Sequence, residues 1–153
     1  MKKVILAAVT ALSFAGLFGI SSINAQASST TPRAIRGTFY SYAGHNSWNR
    51  LTIKAHSAKL SGPGYCENGY LISPNGHQGH HLNYKGYNKS HGVRFFTLQN
   101  DLKYSAESAF PEAGMGLTYR NINGKRYKVI RTYQMGSWDF IKGHKLHNAF
   151  VKN

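Results

Sequence analysis

The chain has 153 residues, with 19 Lys and Arg against 5 Asp and Glu, for a formal net charge of +14. That length suits one hydrophobic core rather than two, and the charge excess bears on partners and solubility, not on fold. Cys66 is the single Cys, so an internal disulfide framework is excluded. It is left as a small buried apolar residue or as a reactive thiol.

Met1-Lys2-Lys3, an apolar run from Val4 to about Ile20 and the exit Ala25-Gln26-Ala27 supply the charged start, apolar middle and small-residue end of a secretory signal peptide. Cleavage is expected after Ala27, giving residues 1–27 as the leader. An uncleaved anchor is the alternative, which Gly16, Gly19 and Ser21-Ser22 disfavour. No later segment approaches the length of a membrane span. Residues 28–33 are expected as a flexible linker and 34–153 as a single β domain.

Ala34 to Tyr42 alternates, with Ile35 and Phe39 on one side and Arg36, Thr38 and Tyr40 on the other. Arg50 to His56 does so more cleanly, Leu51, Ile53 and Ala55 sharing a face opposite Arg50, Thr52, Lys54 and His56. Ser61 to Gly92 is dense in Gly, Pro, Asn and His, with turn signals at Ser61-Gly62-Pro63-Gly64 and Ser73-Pro74-Asn75-Gly76. Strands are expected at Leu71-Ile72, His81–Tyr84 and Val93–Leu98. A short helix fits only in Asp101–Ala113. Asn123-Gly124 between two β-rich runs predicts a type I′ hairpin, because that turn needs positive φ at both central residues. Its two-residue loop fixes the register. Ile122 then faces Lys125, Arg120 faces Tyr127 and Thr118 faces Val129 on one side; Asn121 faces Arg126, Tyr119 faces Lys128 and Leu117 faces Ile130 on the other. The tip is polar and basic, the base apolar. Gly136–Lys142 supplies a last strand. The expected fold is mainly β, a small antiparallel barrel or sandwich of about seven or eight short strands.

The leader, the Thr31-Pro32 linker, the opening Arg36-Gly37-Thr38-Phe39-Tyr40 and a basic, Tyr-rich body resemble a group of small secreted basic proteins of lactic-acid bacteria. That resemblance brings no activity with it. Gly37-Thr38-Phe39 is similar to the Gly-x-Trp of lipocalin-like barrels, with Phe39 where the Trp stands. Ser90-His91-Gly92-Val93-Arg94 resembles the Ser-His-Gly-Cys signature of L,D-transpeptidases, but Val93 replaces the Cys. A reaction that proceeds through a thiolate has no substitute for it.

The remaining chemistry is sparse. His77, His80, His81 and His91 are candidate metal ligands, yet no carboxylate or thiol completes a recognised pattern around them. The acids are Glu67, Asp101, Glu107, Glu112 and Asp139, and no spacing pairs two of them as a glycosidase requires. No complete catalytic motif is present, so the chain reads as non-catalytic and calls for no cofactor. Aromatic and basic residues do interleave, most densely at the hairpin. There Arg120, Lys125, Arg126, Lys128 and Arg131 can meet negative charge, and Tyr119 and Tyr127 can stack on rings. The leading expectation is an exported binding module for an anionic polymer, such as wall polymer or acidic polysaccharide, with no specific nucleic acid as partner. The alternative is a lipocalin-like barrel carrying an apolar ligand among Phe39, Trp48, Phe95, Phe96, Trp138 and Phe140. A membrane-active role lacks the basic amphipathic helix it would use.

Overall fold

The computed structural model describes residues 28–63, 70–72, 82–99, 110–111, 113–133 and 138–147. The expected leader (residues 1–27), Cys66, His77, His80, His81 and most of the stretch expected as a helix lie outside them. The fold is mainly β. Nine strands run as β1 (Gly37–Gly44), β2 (Ser47–Ile53), β3 (Ala58–Ser61), β4 (Tyr70–Ile72), β5 (Asn83–Ser90), β6 (Val93–Gln99), β7 (Met115–Ile122), β8 (Lys125–Thr132) and β9 (Trp138–Lys142). No helix among the described residues is long and apolar enough to cross a membrane.

The strands form one antiparallel sheet in the order β4-β3-β2-β1-β9-β8-β7-β6-β5. Every neighbour in space is a neighbour in sequence except β1 and β9, where the first strand closes on the last through Phe39–Lys142 and Tyr40–Ile141. This is a meander wound toward a barrel, with β4 and β5 as its edges. Its curl follows from the core. Leu51, Ile53 and Leu60 from one arm share a single buried cluster with Phe96, Leu98, Met115 and Ile130 from the other. Arms at opposite ends of a sheet meet only if the sheet bends around them, so this cluster marks the concave face.

Tight turns set the meander. His45-Asn46, His91-Gly92 and Asn123-Gly124 all have positive φ at both residues, the conformation that matches the twist of a two-residue hairpin. Only Asn123-Gly124 carries a strong sequence signal for it. The Ser90-His91-Gly92-Val93 run is thereby a hairpin turn between β5 and β6, and His91 is an exposed turn residue whose Nδ1 lies 2.9 Å from Ser90 Oγ.

The expected flexible linker is instead fastened to the sheet. Ser28 exchanges two backbone hydrogen bonds with Tyr84 on the edge strand β5, each 2.9 Å. Thr31 is buried, donates from Oγ1 to the Lys54 carbonyl at 2.6 Å, and bonds Ala55 through its backbone at the far end of β2. Arg36 Nε holds the Thr31 carbonyl at 3.0 Å. Ala34-Ile35, expected within the first strand, belongs to a short 3-10 turn that drops Ile35 into the core. Residues 28–36 thus span from one arm of the curl to the other.

Beyond β9 the chain turns at Gly143, whose N–H bonds the Thr38 carbonyl at 2.9 Å, and runs over the convex face. Leu146 packs with Val129 and Ile141 in a second apolar cluster. His144 meets the Tyr127 ring edge-on at 5.1 Å. His147 contacts the rings of Tyr42 and Trp48, each at 5.2 Å.

Candidate polyanion-binding surface

The β7–β8 hairpin has the register its turn dictates, from Ile122–Lys125 at the tip to Met115–Thr132 at the base. Alternation then assigns its side chains. Met115, Leu117, Ile130 and Thr132 face the concave side, and Met115 and Ile130 sit in the core. Tyr119, Asn121, Arg126 and Lys128 continue that same face past the core into solvent. Arg120, Ile122, Lys125, Tyr127, Val129 and Arg131 face the convex side.

On the concave side the expected cations and ring come together. Tyr119 is 52% exposed. The Arg126 guanidinium lies 4.4 Å from its ring centroid and the Lys128 ammonium 6.0 Å. The β5–β6 pair adds Lys89 opposite Arg94 on this face, and Arg94 stands opposite Leu117. Lys142 of β9 also points to this side, with its ammonium 5.9 Å from the Phe39 ring centroid. Lys89, Arg94 and Lys142 were not singled out from the sequence. They lie far apart along the chain, and only the strand order makes them neighbours of the hairpin.

Arg120 and Arg131 belong elsewhere. Both turn to Asp139, whose side chain is fully buried on the convex side, with Arg120 Nη1 to Oδ2 at 2.9 Å and Arg131 Nε to Oδ1 at 2.8 Å. Arg131 Nη2 adds a bond to Oδ2 at 3.2 Å. Hydrogen bonding to Asp139 raises the Arg131 pKa above its ordinary value. Of the five acidic residues, Asp139 alone lies among the described residues, and it claims these two arginines. They are held by an ion pair on the face opposite Tyr119, which corrects their assignment to a common charged tip. A carboxylate nineteen residues from Arg120 in sequence gave no local signal of this pairing.

Tyr127 is only half exposed. It packs against the Val129–Ile141 cluster, carries His144 on one edge and has the Lys125 ammonium 5.7 Å from its centroid. The exposed ring and cations that share one face of the hairpin are therefore Tyr119, Arg126 and Lys128, with Lys125 on the other face over Tyr127.

No family model, curated protein or solved structure matches the chain.

The other sequence candidates are dispersed. No group of three metal-ligating side chains occurs among the described residues. Phe39, Phe96 and Phe140 are fully buried in the packed core. Trp48 lies against Tyr42 at 5.6 Å, paired across β1 and β2 on the convex face. Phe95 lies against Tyr133 at 5.6 Å. These aromatics do not line one common cavity.

Proposed function

We propose that the protein is an exported, non-catalytic module that binds an anionic polymer of the cell envelope or a surface, such as wall polymer or acidic polysaccharide, through the open end of its concave face. The observation that carries this reading is the Tyr119–Arg126–Lys128 cluster. An exposed ring is flanked by two cations, with further cations at Lys89, Arg94 and Lys142 on the same face. The described residues contain a single carboxylate, and it is committed to the other face. Repeating negative charge on a polymer suits several fixed cations, and an exposed Tyr offers a flat apolar surface to a sugar ring. The leader-like start of the chain supports export.

The test is binding to a soluble acidic polysaccharide across salt concentrations from about 50 to 500 mM, a range that takes the screening length from above 10 Å to below it. Affinity should fall steeply with salt. Replacing Lys125, Arg126 and Lys128 together by Ala should weaken binding and flatten its salt dependence. Binding that ignores salt, or survives the triple substitution unchanged, overturns the reading.

A further inference from the structure

Ser28 is tied to the sheet by its backbone. Its N–H donates to the Tyr84 carbonyl at 2.9 Å, and its carbonyl accepts from the Tyr84 N–H at 2.9 Å, an antiparallel bridge on the outer side of the edge strand β5. Ser28 is also the residue that follows the cleavage point expected from Ala25-Gln26-Ala27. Its peptide nitrogen is therefore the atom that leaves when that bond is cut. We propose that docking of residues 28–36 as a strap on Tyr84 and Ala55 shuts the Ala27–Ser28 bond to a leader peptidase, so that the leader is removed before the strap closes. This proposal rests on the export reading above.

Hydrolysis of that bond consumes one water. The water's hydroxyl goes to the Ala27 carbonyl carbon, the C–N bond breaks, and the remaining proton goes to the Ser28 nitrogen. A binding cleft grips an extended chain through its free backbone N–H and C=O groups. In the closed strap both of these groups on Ser28 are taken by Tyr84.

Ser28 cannot swing out alone. The Thr30 N–H donates to Ser28 Oγ at 3.0 Å. Thr31 is 1% exposed, with its N–H on the Ala55 carbonyl at 2.9 Å and its hydroxyl on the Lys54 carbonyl at 2.6 Å. Arg36 Nε in turn holds the Thr31 carbonyl at 3.0 Å. Three residues back from a seated Thr31 the chain reaches at most about 10 Å. The nitrogen of Ser28 thus stays close to the sheet until the whole strap lifts. Cutting also strengthens the anchor. The N–H that Tyr84 accepts becomes part of an ammonium, and a charged donor makes the stronger hydrogen bond.

The experiment uses the full 153-residue chain, purified uncut in detergent, with a purified leader peptidase as the probe. A synthetic peptide of residues 17–37 cannot reach Tyr84 or Ala55 and gives the unprotected rate. The folded chain should be cut more slowly than the peptide, on the order of tenfold or more, the weight of two backbone hydrogen bonds. Thr31→Val/Arg36→Ala should recover most of that loss, each rate being taken against a peptide with the same substitutions. Asp139→Asn breaks no bond of the strap and should keep the parent's resistance, which separates local lifting from general unfolding. The exported protein should begin at Ser28 by N-terminal sequencing. A folded chain cut as fast as the peptide, or equal rates for Asp139→Asn and the strap variant, overturns the proposal and leaves export standing. An exported protein that begins elsewhere overturns the expected cleavage and the proposal with it.

Discussion

Asp139 and Arg131 stand directly opposite each other on β9 and β8 and share two hydrogen bonds, at 2.8 and 3.2 Å. Arg120 closes the trio from β7 at 2.9 Å, so one carboxylate ties together three adjacent strands beside the closure of the sheet. Asp139→Asn keeps the shape and removes the charge. A fully buried pair broken in this way costs about 3–5 kcal/mol. The arginines here retain about a quarter of their exposure and can regain water, so the expected loss is lower, about 2 kcal/mol. Chemical denaturation of the two proteins measures it. Polyanion binding should persist in this variant, since the trio faces away from Tyr119.

Gly116 lies between Phe95 and Arg131 in the rows of β6, β7 and β8. A Cβ there would fall 2.4 Å from Val93 Cγ1 and 3.0 Å from the Tyr133 hydroxyl. Both clashes lie on the convex face, so Gly116→Ala should destabilise by about 1–3 kcal/mol through overpacking. The Val93 contact is the tighter. In a Val93→Ala background the same substitution should cost clearly less, a coupling that a double-mutant cycle reads directly. Equal costs in both backgrounds would mean that Val93 moves aside freely.

What the sequence disclosed follows the range over which its signals act. The Asn123-Gly124 turn is local, so the whole β7–β8 register could be written down from it. The mainly β class followed from alternation such as that at Arg50–Ile53 and from short β-rich runs such as Val93–Leu98. By contrast, β5 runs to Ser90 rather than ending at Tyr84, because an edge strand such as Asn83–Ser90 needs no apolar face to identify it. Ala58–Ser61, a four-residue strand, was too short to show a period. The linker was misread because Ser28–Pro32 is polar by composition, while its order comes from backbone bonds to Tyr84 and Ala55. The candidate site divided for the same reason. Tyr119, Arg126 and Lys128 share a face by register alone, but the partner of Arg120 and Arg131 is a carboxylate on a different strand.

Thr31 tests whether the segment before β1 matters to the fold. Its hydroxyl donates to the Lys54 carbonyl at 2.6 Å from a buried position. Thr31→Val preserves the shape and leaves that carbonyl without this donor, so a loss of about 1 kcal/mol is expected. A change in the midpoint of urea unfolding, with its slope unaltered, is the measurement. No change in the midpoint would mean that the strap between Tyr84 and Ala55 contributes little.

Tyr84 and Tyr133 make the fold sensitive to alkali. Burial raises both above the ordinary tyrosine value of 10.0, with Arg94 opposing the rise at Tyr84 and Arg131 opposing it at Tyr133, where Asp139 adds to it. Between the unfolded and folded values the native state holds protons that the unfolded chain has released. Stability is therefore fully present below about pH 10 and falls as pH rises through the folded values. Tyrosinate absorbance should carry a component from Tyr84 and Tyr133 that ionises above the ordinary tyrosine value, and denaturation midpoints should drop over the same interval. Tyr133→Phe removes one of the two protons from this balance, so its stability should decline less steeply above pH 10 than that of the parent. If both proteins lose stability in parallel, the alkaline transition belongs to other groups.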